Sequence, residues 1–153
     1  MKFEITNMID KLGIKYEKFN PNPNEDKSLD HNDCTLRAII AAFPEYTWEN
    51  VFDMLCRIAR DMHVMPDSLE PFIALLTILS DGKDTSIYHK ESDDEEIAVF
   101  DVITKEEIQT GTVVIITEKH AFTMVDGTIY DMYSKEEFDQ YLLHEVNIVW
   151  RLK

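Results

Sequence analysis

The pattern of apolar residues changes from helical to strand-like near Asp81 and Gly82, and this change most limits the folds open to the chain. Before it, apolar residues recur at the three- and four-residue spacing of amphipathic helices. After it, β-branched residues gather in short runs, such as residues 112–117, that are typical of strands. Helices followed by a largely antiparallel sheet predict an α+β fold.

Three helices are predicted before this change, and each begins at a residue suited to an N-cap. They start near Asp33, Thr47 and Asp67, and the first of them ends near residue 43. Glu70 lies three residues after Asp67, which completes a capping-box pattern. The helical part therefore precedes the sheet as one continuous block.

Shorter segments surround this block. Residues 5–12 predict a helix that ends at Gly13, and residues 14–19 predict a strand. The pairs Thr104–Glu107 and Ser134–Glu137 predict caps of two further short helical segments. The other predicted strands are residues 97–100, 112–117, 120–125, 128–133 and 146–150.

Length and composition are typical of one domain over residues 1–153. An apolar content of 44% in 153 residues is enough to bury a core. Glu4 is an early acidic residue, and the chain has no long apolar run. We therefore expect neither a secretory signal nor a membrane span. Two cysteines without an export signal predict free thiols and a cytoplasmic location.

The chain is strongly acidic, with 30 acidic and 15 basic residues and a net charge of −15. This charge repels phosphate backbones, so nucleic-acid binding is not expected. Its usual consequence is solubility, while the alternative is a negative surface that attracts a basic partner. Part of the charge lies in residues 91–96, which predict a solvated loop.

Cys34 lies at the predicted start of the first long helix. The positive end of a helix dipole favours the thiolate, which is the nucleophilic form of cysteine. The backbone N–H of Cys34 and the side-chain amide of Asn32 are candidate donors to an oxyanion. A cysteine in an apolar run is also commonly an inert buried thiol, and that alternative remains open at this point.

A β-hairpin is predicted around Asp126 and Gly127, because an Asp-Gly pair between two strand-like runs is a strong hairpin signal. In the two-residue register Phe122 lies opposite Asp131, so His120 shares a face with Asp131 on the diagonal. A hydrogen bond between them would orient the imidazole as a base. The alternative is a surface histidine and an unrelated aspartate.

The other cysteine and histidines show no comparable pattern. Cys56 lies on the apolar stripe of the second helix and is predicted to pack in the core. His31 is interpreted as a loop residue, with a backup base as the alternative. No metal-ligand spacing is present, so neither a metal nor a cofactor is expected. The scattered histidines are His63, His89 and His144.

Two motifs together resemble small papain-like cysteine proteases common in bacteriophage genomes. The first is Asn-Asp-Cys-Thr-Leu-Arg-Ala-Ile at residues 32–39, followed by Trp48-Glu49-x-Val51. The second is His-Ala-Phe-Thr-x-Val-Asp-Gly-x-Ile-x-Asp at residues 120–131. The resemblance covers residues 32–150 and implies a papain-like fold. It also implies roles for three residues, with Cys34 as nucleophile, His120 as base and Asp131 as the orienting acid.

One position departs from the family pattern. Papain-like peptidases usually present a glutamine six residues before the nucleophile, where this chain has Ser28, and Asn32 is the expected substitute. The function predicted is a cysteine hydrolase, a peptidase or deamidase, that cleaves peptide, isopeptide or side-chain amide bonds in a protein or peptide substrate. The alternative is a non-catalytic acidic protein on the same fold that binds and inhibits a basic host protein.

Overall fold

The computed structural model describes residues 8–24, 33–82, 85–91 and 95–152. Its helices are α1 (Met8–Leu12), α2 (Cys34–Ala42), α3 (Trp48–Met62), α4 (Leu69–Leu79), α5 (Val99–Ile103) and α6 (Lys135–Asp139), with a 3-10 turn at Glu106–Gln109. Its strands are β1 (Lys15–Lys18), β2 (Ser86–His89), β3 (Thr112–Thr117), β4 (Ala121–Val125), β5 (Thr128–Asp131) and β6 (Val146–Arg151). The architecture is α+β, as predicted.

The strands form one mixed sheet in the order β1-β5-β4-β3-β6-β2. β1 pairs with β5 in parallel, and the other described pairings are antiparallel. Around the Asp126–Gly127 turn, Val125 lies opposite Thr128, which confirms the predicted hairpin register. The largely antiparallel sheet is therefore confirmed, with a parallel strand added at one edge.

The sheet is covered on both faces, and the central strand β3 shows this most clearly. Val113 and Ile115 belong to a core cluster with Phe122 and residues of α1, α5 and α6. Val114 and Ile116 alternate with them and belong to a second cluster with residues of α2, α3 and α4. A strand buried on both faces carries a continuous apolar run, which explains the sequence of β3.

Helix α3 begins as predicted at Thr47. The Thr47 hydroxyl accepts the Asn50 N–H at 3.1 Å, and the Asn50 side chain accepts the Thr47 N–H at 3.1 Å. This reciprocal capping satisfies two donors that the first turn of a helix leaves without intrahelical acceptors. At the other end, His63 adopts the left-handed conformation with φ of 59° and ends the helix.

The predicted cap of α4 is wrong by one residue. Ser68, not Asp67, precedes the first helical residue Leu69. With this start Pro71 is the third helical residue, a position whose N–H has no intrahelical acceptor. A start at Asp67 would place Pro71 where its missing N–H breaks a helical hydrogen bond.

The segment between Gly82 and β3 departs most from prediction. The predicted strand at residues 97–100 is wrong, because Val99–Ile103 form α5 and only Ala98 makes an isolated bridge to the chain near β6. The Asp101 carboxylate accepts the Ala98 N–H at 3.2 Å, which favours a helix start there. Strand β2 was not predicted. Lys105 rather than Thr104 precedes the 3-10 turn.

The last predicted helix and strand are confirmed. Ser134 and Glu137 form the capping box of α6, with the Glu137 N–H donating to the Ser134 hydroxyl at 3.2 Å. β6 follows at Val146–Arg151. Within the described residues, no helix has the length and apolar character needed to cross a membrane.

Candidate functional site

Cys34 is the first residue of α2 and is half-buried. The helix lies against the sheet because Leu36, Ile39 and Ile40 pack in the second core cluster. The buried Thr123 hydroxyl on β4 donates to the Ala38 carbonyl at 2.6 Å. This bond joins the helix that carries Cys34 to the strand that follows His120, so the two candidate residues come from directly connected elements.

His120 lies immediately before β4 and contacts Asp131 at the end of β5. The imidazole Nε2 donates to the Asp131 Oδ2 at 2.7 Å, which confirms the predicted contact across the hairpin. The other carboxylate oxygen accepts the Met132 N–H at 2.7 Å. Both side chains are buried, with exposed fractions of 5% for His120 and 3% for Asp131, so their hydrogen bond is shielded from water.

Cys34 lies beside the imidazole, close enough to act on its pKa. Because Nε2 faces Asp131, the ring nitrogen left for the thiol is Nδ1. Burial disfavours the charged ring, but the hydrogen bond with Asp131 and the neighbouring Cys34 outweigh it and raise the pKa of His120 to about 9. The ring is therefore held as an imidazolium at neutral pH, between a thiol and a carboxylate.

Two tyrosine rings enclose the imidazole. The ring centroids of Tyr133 and Tyr141 lie 5.0 and 5.3 Å from that of His120. Aromatic faces at this range stabilise a cation. Burial and a hydrogen bond with Tyr141 raise the pKa of Tyr133 above its ordinary value, so its hydroxyl stays neutral. The tyrosines thus contribute a wall that favours the charged ring and limits its movement.

Cys34 and His120 line the same cleft, whose volume is about 160 Å³. A protein cavity of about 150 Å³ accepts benzene. The cleft therefore has room for one side chain of a ligand beside the thiol. Its lining includes three buried apolar residues, Phe72, Ile116 and Ala121. It also includes three exposed charged residues, Asp67, Glu118 and Lys119.

Asp33, the N-cap residue of α2, is 2% exposed, and its carboxylate does not cap the helix. Its Oδ1 pairs with the Arg37 Nε at 2.7 Å. Its Oδ2 accepts the Trp48 indole N–H at 3.0 Å and the Asn22 amide at 2.8 Å. One cation and two hydrogen-bond donors, from three segments of the chain, therefore hold the residue that directly precedes Cys34.

Several predicted residues do not join this site. Cys56 is half-buried like Cys34, and neither described core cluster includes it, so its predicted core position is wrong. The predicted oxyanion donor Asn32, together with Ser28 and His31, lies outside the described residues. Within the described part of the chain, no group of three or more His, Cys, Asp or Glu side chains could hold a metal ion.

The sequence-based prediction missed three residues that position the site. Thr123 is a hydroxyl in an apolar strand, and Asp33 and Arg37 have the four-residue spacing of a helical ion pair. The four-residue spacing indicates an ion pair within one helix, but it does not distinguish a buried pair from a pair on the surface. Trp48 is part of a sequence motif, but the sequence does not show which carboxylate accepts its indole N–H.

The chain matches no family model, no characterised protein and no solved structure. A functional interpretation of this site therefore depends on the contacts that its own residues make.

Proposed function

We propose that this protein is a cysteine-nucleophile hydrolase that acts on peptide, isopeptide or side-chain amide bonds, on a fold of papain-like type. One observation carries the proposal: the buried His120 ring is hydrogen-bonded to the Asp131 carboxylate and lies beside Cys34, in the lining of the same cleft. A thiol, an oriented imidazole and an acid are the groups required for acyl transfer through a thioester. No cofactor is needed for this chemistry.

In the first step the Cys34 thiolate attacks the carbonyl carbon of the substrate amide. As the C–N bond breaks, His120 Nδ1 gives its proton to the leaving nitrogen, which departs as an amine or as ammonia. The product on the enzyme is a thioester with Cys34. Asp131 holds the ring through Nε2, so its role is to position His120.

In the second step water attacks the thioester. The now neutral His120 accepts a proton from that water, the C–S bond breaks, and the carboxylic acid product leaves. The thiolate and imidazolium are restored. In both steps the negative oxygen forms beside the start of α2, where the Cys34 N–H is a donor and the helix dipole favours an anion.

The substrate proposed is a protein or peptide. The cleft beside Cys34 combines a buried apolar lining with exposed charged residues, so one substrate side chain can be buried while the chain on either side stays in water. The net charge of −15 favours substrates with basic residues near the cleaved bond.

Alkylation tests the proposal, because the chain contains its own matched control. Cys34 and Cys56 are both free and half-buried, but only Cys34 lines the cleft together with His120. At about pH 6 we expect iodoacetamide to modify Cys34 roughly tenfold faster or more than Cys56. His120→Ala should remove the difference. Site-resolved mass spectrometry over a time course measures both rates in one sample.

Equal and slow labelling of the two cysteines would contradict the proposal and favour the non-catalytic alternative, an acidic protein that binds a basic partner. If labelling is selective, a mixed peptide pool shows which bond is cleaved. New amino termini identify a peptidase, and conversion of side-chain amides to acids identifies a deamidase. Cys34→Ala is the blank in both assays.

A further inference from the structure

The first-turn N–H groups of α2 point toward the end of the helix at which Cys34 and Thr35 line the cleft. An aspartate at the N-cap ordinarily accepts one of these N–H groups through its side chain. Asp33 does not, because its carboxylate is bonded to Arg37, Trp48 and Asn22. The N-terminus of the nucleophile helix therefore carries an acid that is turned away from it.

The location of these three partners explains how the carboxylate is held. Arg37 lies one turn along α2, Trp48 is the first residue of α3, and Asn22 lies in the loop after β1. Arg37 is only 5% exposed, so its guanidinium is committed to this pair. The Trp48 ring is in turn stacked on Phe52 at 5.1 Å, which fixes its N–H.

We propose that Asp33 and Arg37 are positioning residues for the Cys34 thiolate: Arg37, with Trp48, holds the Asp33 carboxylate away from the first turn of α2. The inference depends on the hydrolase proposed above. With the carboxylate held back, the first-turn N–H groups remain available to the charged sulfur and to the oxyanion. With the carboxylate released, Asp33 caps those N–H groups and places a second negative charge beside the sulfur.

Substitutions at Arg37 and at Asp33 should therefore have different effects on the pH midpoint of Cys34 alkylation. Arg37→Met releases the carboxylate, so the pH midpoint of Cys34 alkylation should rise by about one unit and the rate near pH 6 should fall roughly tenfold. Asp33→Asn removes the negative charge, so the midpoint should fall or stay unchanged. The double variant Asp33→Asn/Arg37→Met should return to within about twofold of the wild-type rate.

A structural role alone gives a different pattern. If the pair only supports the fold, both single variants lower the rate without moving the midpoint, and the double variant is no better than either. Movement of the midpoint in the same direction by both single variants also overturns the proposal. Asp67, the other carboxylate near both Asp33 and the cleft, is unchanged in every variant.

Trp48→Phe keeps the test decisive if Arg37→Met does not fold. This change removes the indole N–H bond to Asp33 and retains a ring against Phe52. It should raise the midpoint in the same direction as Arg37→Met, by less. No rise in a folded Trp48→Phe protein would overturn the proposal.

Arg60→Met is the matched control, because Arg60 pairs with Asp61 on the surface and should leave the midpoint unchanged. The wild-type protein separates this inference from the hydrolase proposal. If Cys34 reacts no faster than Cys56, the hydrolase proposal fails and this inference fails with it. If Cys34 is fast but Arg37→Met does not raise the midpoint, or Asp33→Asn raises it, only this inference fails.

Discussion

Two buried carboxylates determine the surroundings of Cys34, and their partners differ in one respect. Asp131 is 3% exposed and accepts a hydrogen bond from His120, whose ring can release its proton. Asp33 is 2% exposed and pairs with Arg37, whose guanidinium keeps its proton. The two acids are of the same type and are similarly buried. Because their partners differ, the pair with His120 can take part in proton transfer and the pair with Arg37 cannot.

The two buried pairs also differ in where they lie relative to the cleft and to the helices. The His120–Asp131 pair is next to the cleft that Cys34 also lines. The Asp33–Arg37 pair is behind the same thiol and joins α2, α3 and the loop after β1. The first pair should respond to pH between neutrality and about pH 9.

The largest expected effect on stability comes from removing one partner of the permanent pair. Arg37→Met removes the cation that pairs with the buried Asp33 carboxylate, and neutral N–H donors replace that cation only in part, so the free energy of unfolding should fall by up to about 3–5 kcal/mol. Urea unfolding followed by circular dichroism measures this loss.

The double variant Asp33→Asn/Arg37→Met is the control for this prediction. It leaves neither charge behind, so most of the loss should be recovered. A double variant as unstable as Arg37→Met would mean that the lost packing of Arg37, and not the unpaired charge, controls stability.

The second prediction concerns pH. The pKa of His120 is raised from 6.5 to about 9 in the folded protein, where burial opposes the charged ring but the bond to Asp131 and the neighbouring Cys34 prevail. The stabilisation is therefore fully present below pH 6.5 and is lost as pH rises through about 9. The loss across this window should be on the order of 3 kcal/mol.

Urea unfolding at several pH values between about 6 and 10 measures this loss. In His120→Gln the slope of stability against pH in this window should be much smaller, whatever the variant's overall stability. Arg60→Met should keep the wild-type slope. Equal slopes in wild type and His120→Gln would show that the imidazolium is not stabilised in the folded state.

The smallest expected effect concerns the bond that joins the two halves of the site. Thr123→Val removes the 2.6 Å bond to the Ala38 carbonyl and keeps the shape of the side chain. We expect a loss of about 1–2 kcal/mol in the free energy of unfolding and a slower alkylation of Cys34. Thr77→Val is a matched control, since its 2.9 Å bond to Ile73 stays within one helix, and alkylation should not change.

Local rules predicted the segments whose signals come from neighbours in the chain. Thr47 and Ser134 cap their helices because their partners are three residues away, and the Asp126–Gly127 turn sets the register of its hairpin. That register was enough to predict the contact of His120 with Asp131. Each of these interactions has a short sequence separation and a geometry imposed by the backbone.

The same rules failed where a distant partner decides the outcome. Residues 97–100 have the composition of a strand, but a helix forms there because Asp101 caps it and its apolar residues meet the core. β2 forms because β6 offers an edge with which it can pair. The apolar stripe of α3 predicted a core position for Cys56, but burial depends on which part of the stripe the neighbouring helices cover.

By itself the sequence determined an α+β chain, a thiol at the start of a helix and a histidine that shares a hairpin face with an acid. Only the tertiary structure decided that these groups meet, through the packing of α2 on the sheet and the bond of Thr123 to Ala38. It also decided that Asp33 faces Arg37 and Trp48 instead of capping its own helix. The physical reason is that backbone geometry fixes contacts between near neighbours, whereas burial of apolar surface fixes contacts between distant ones.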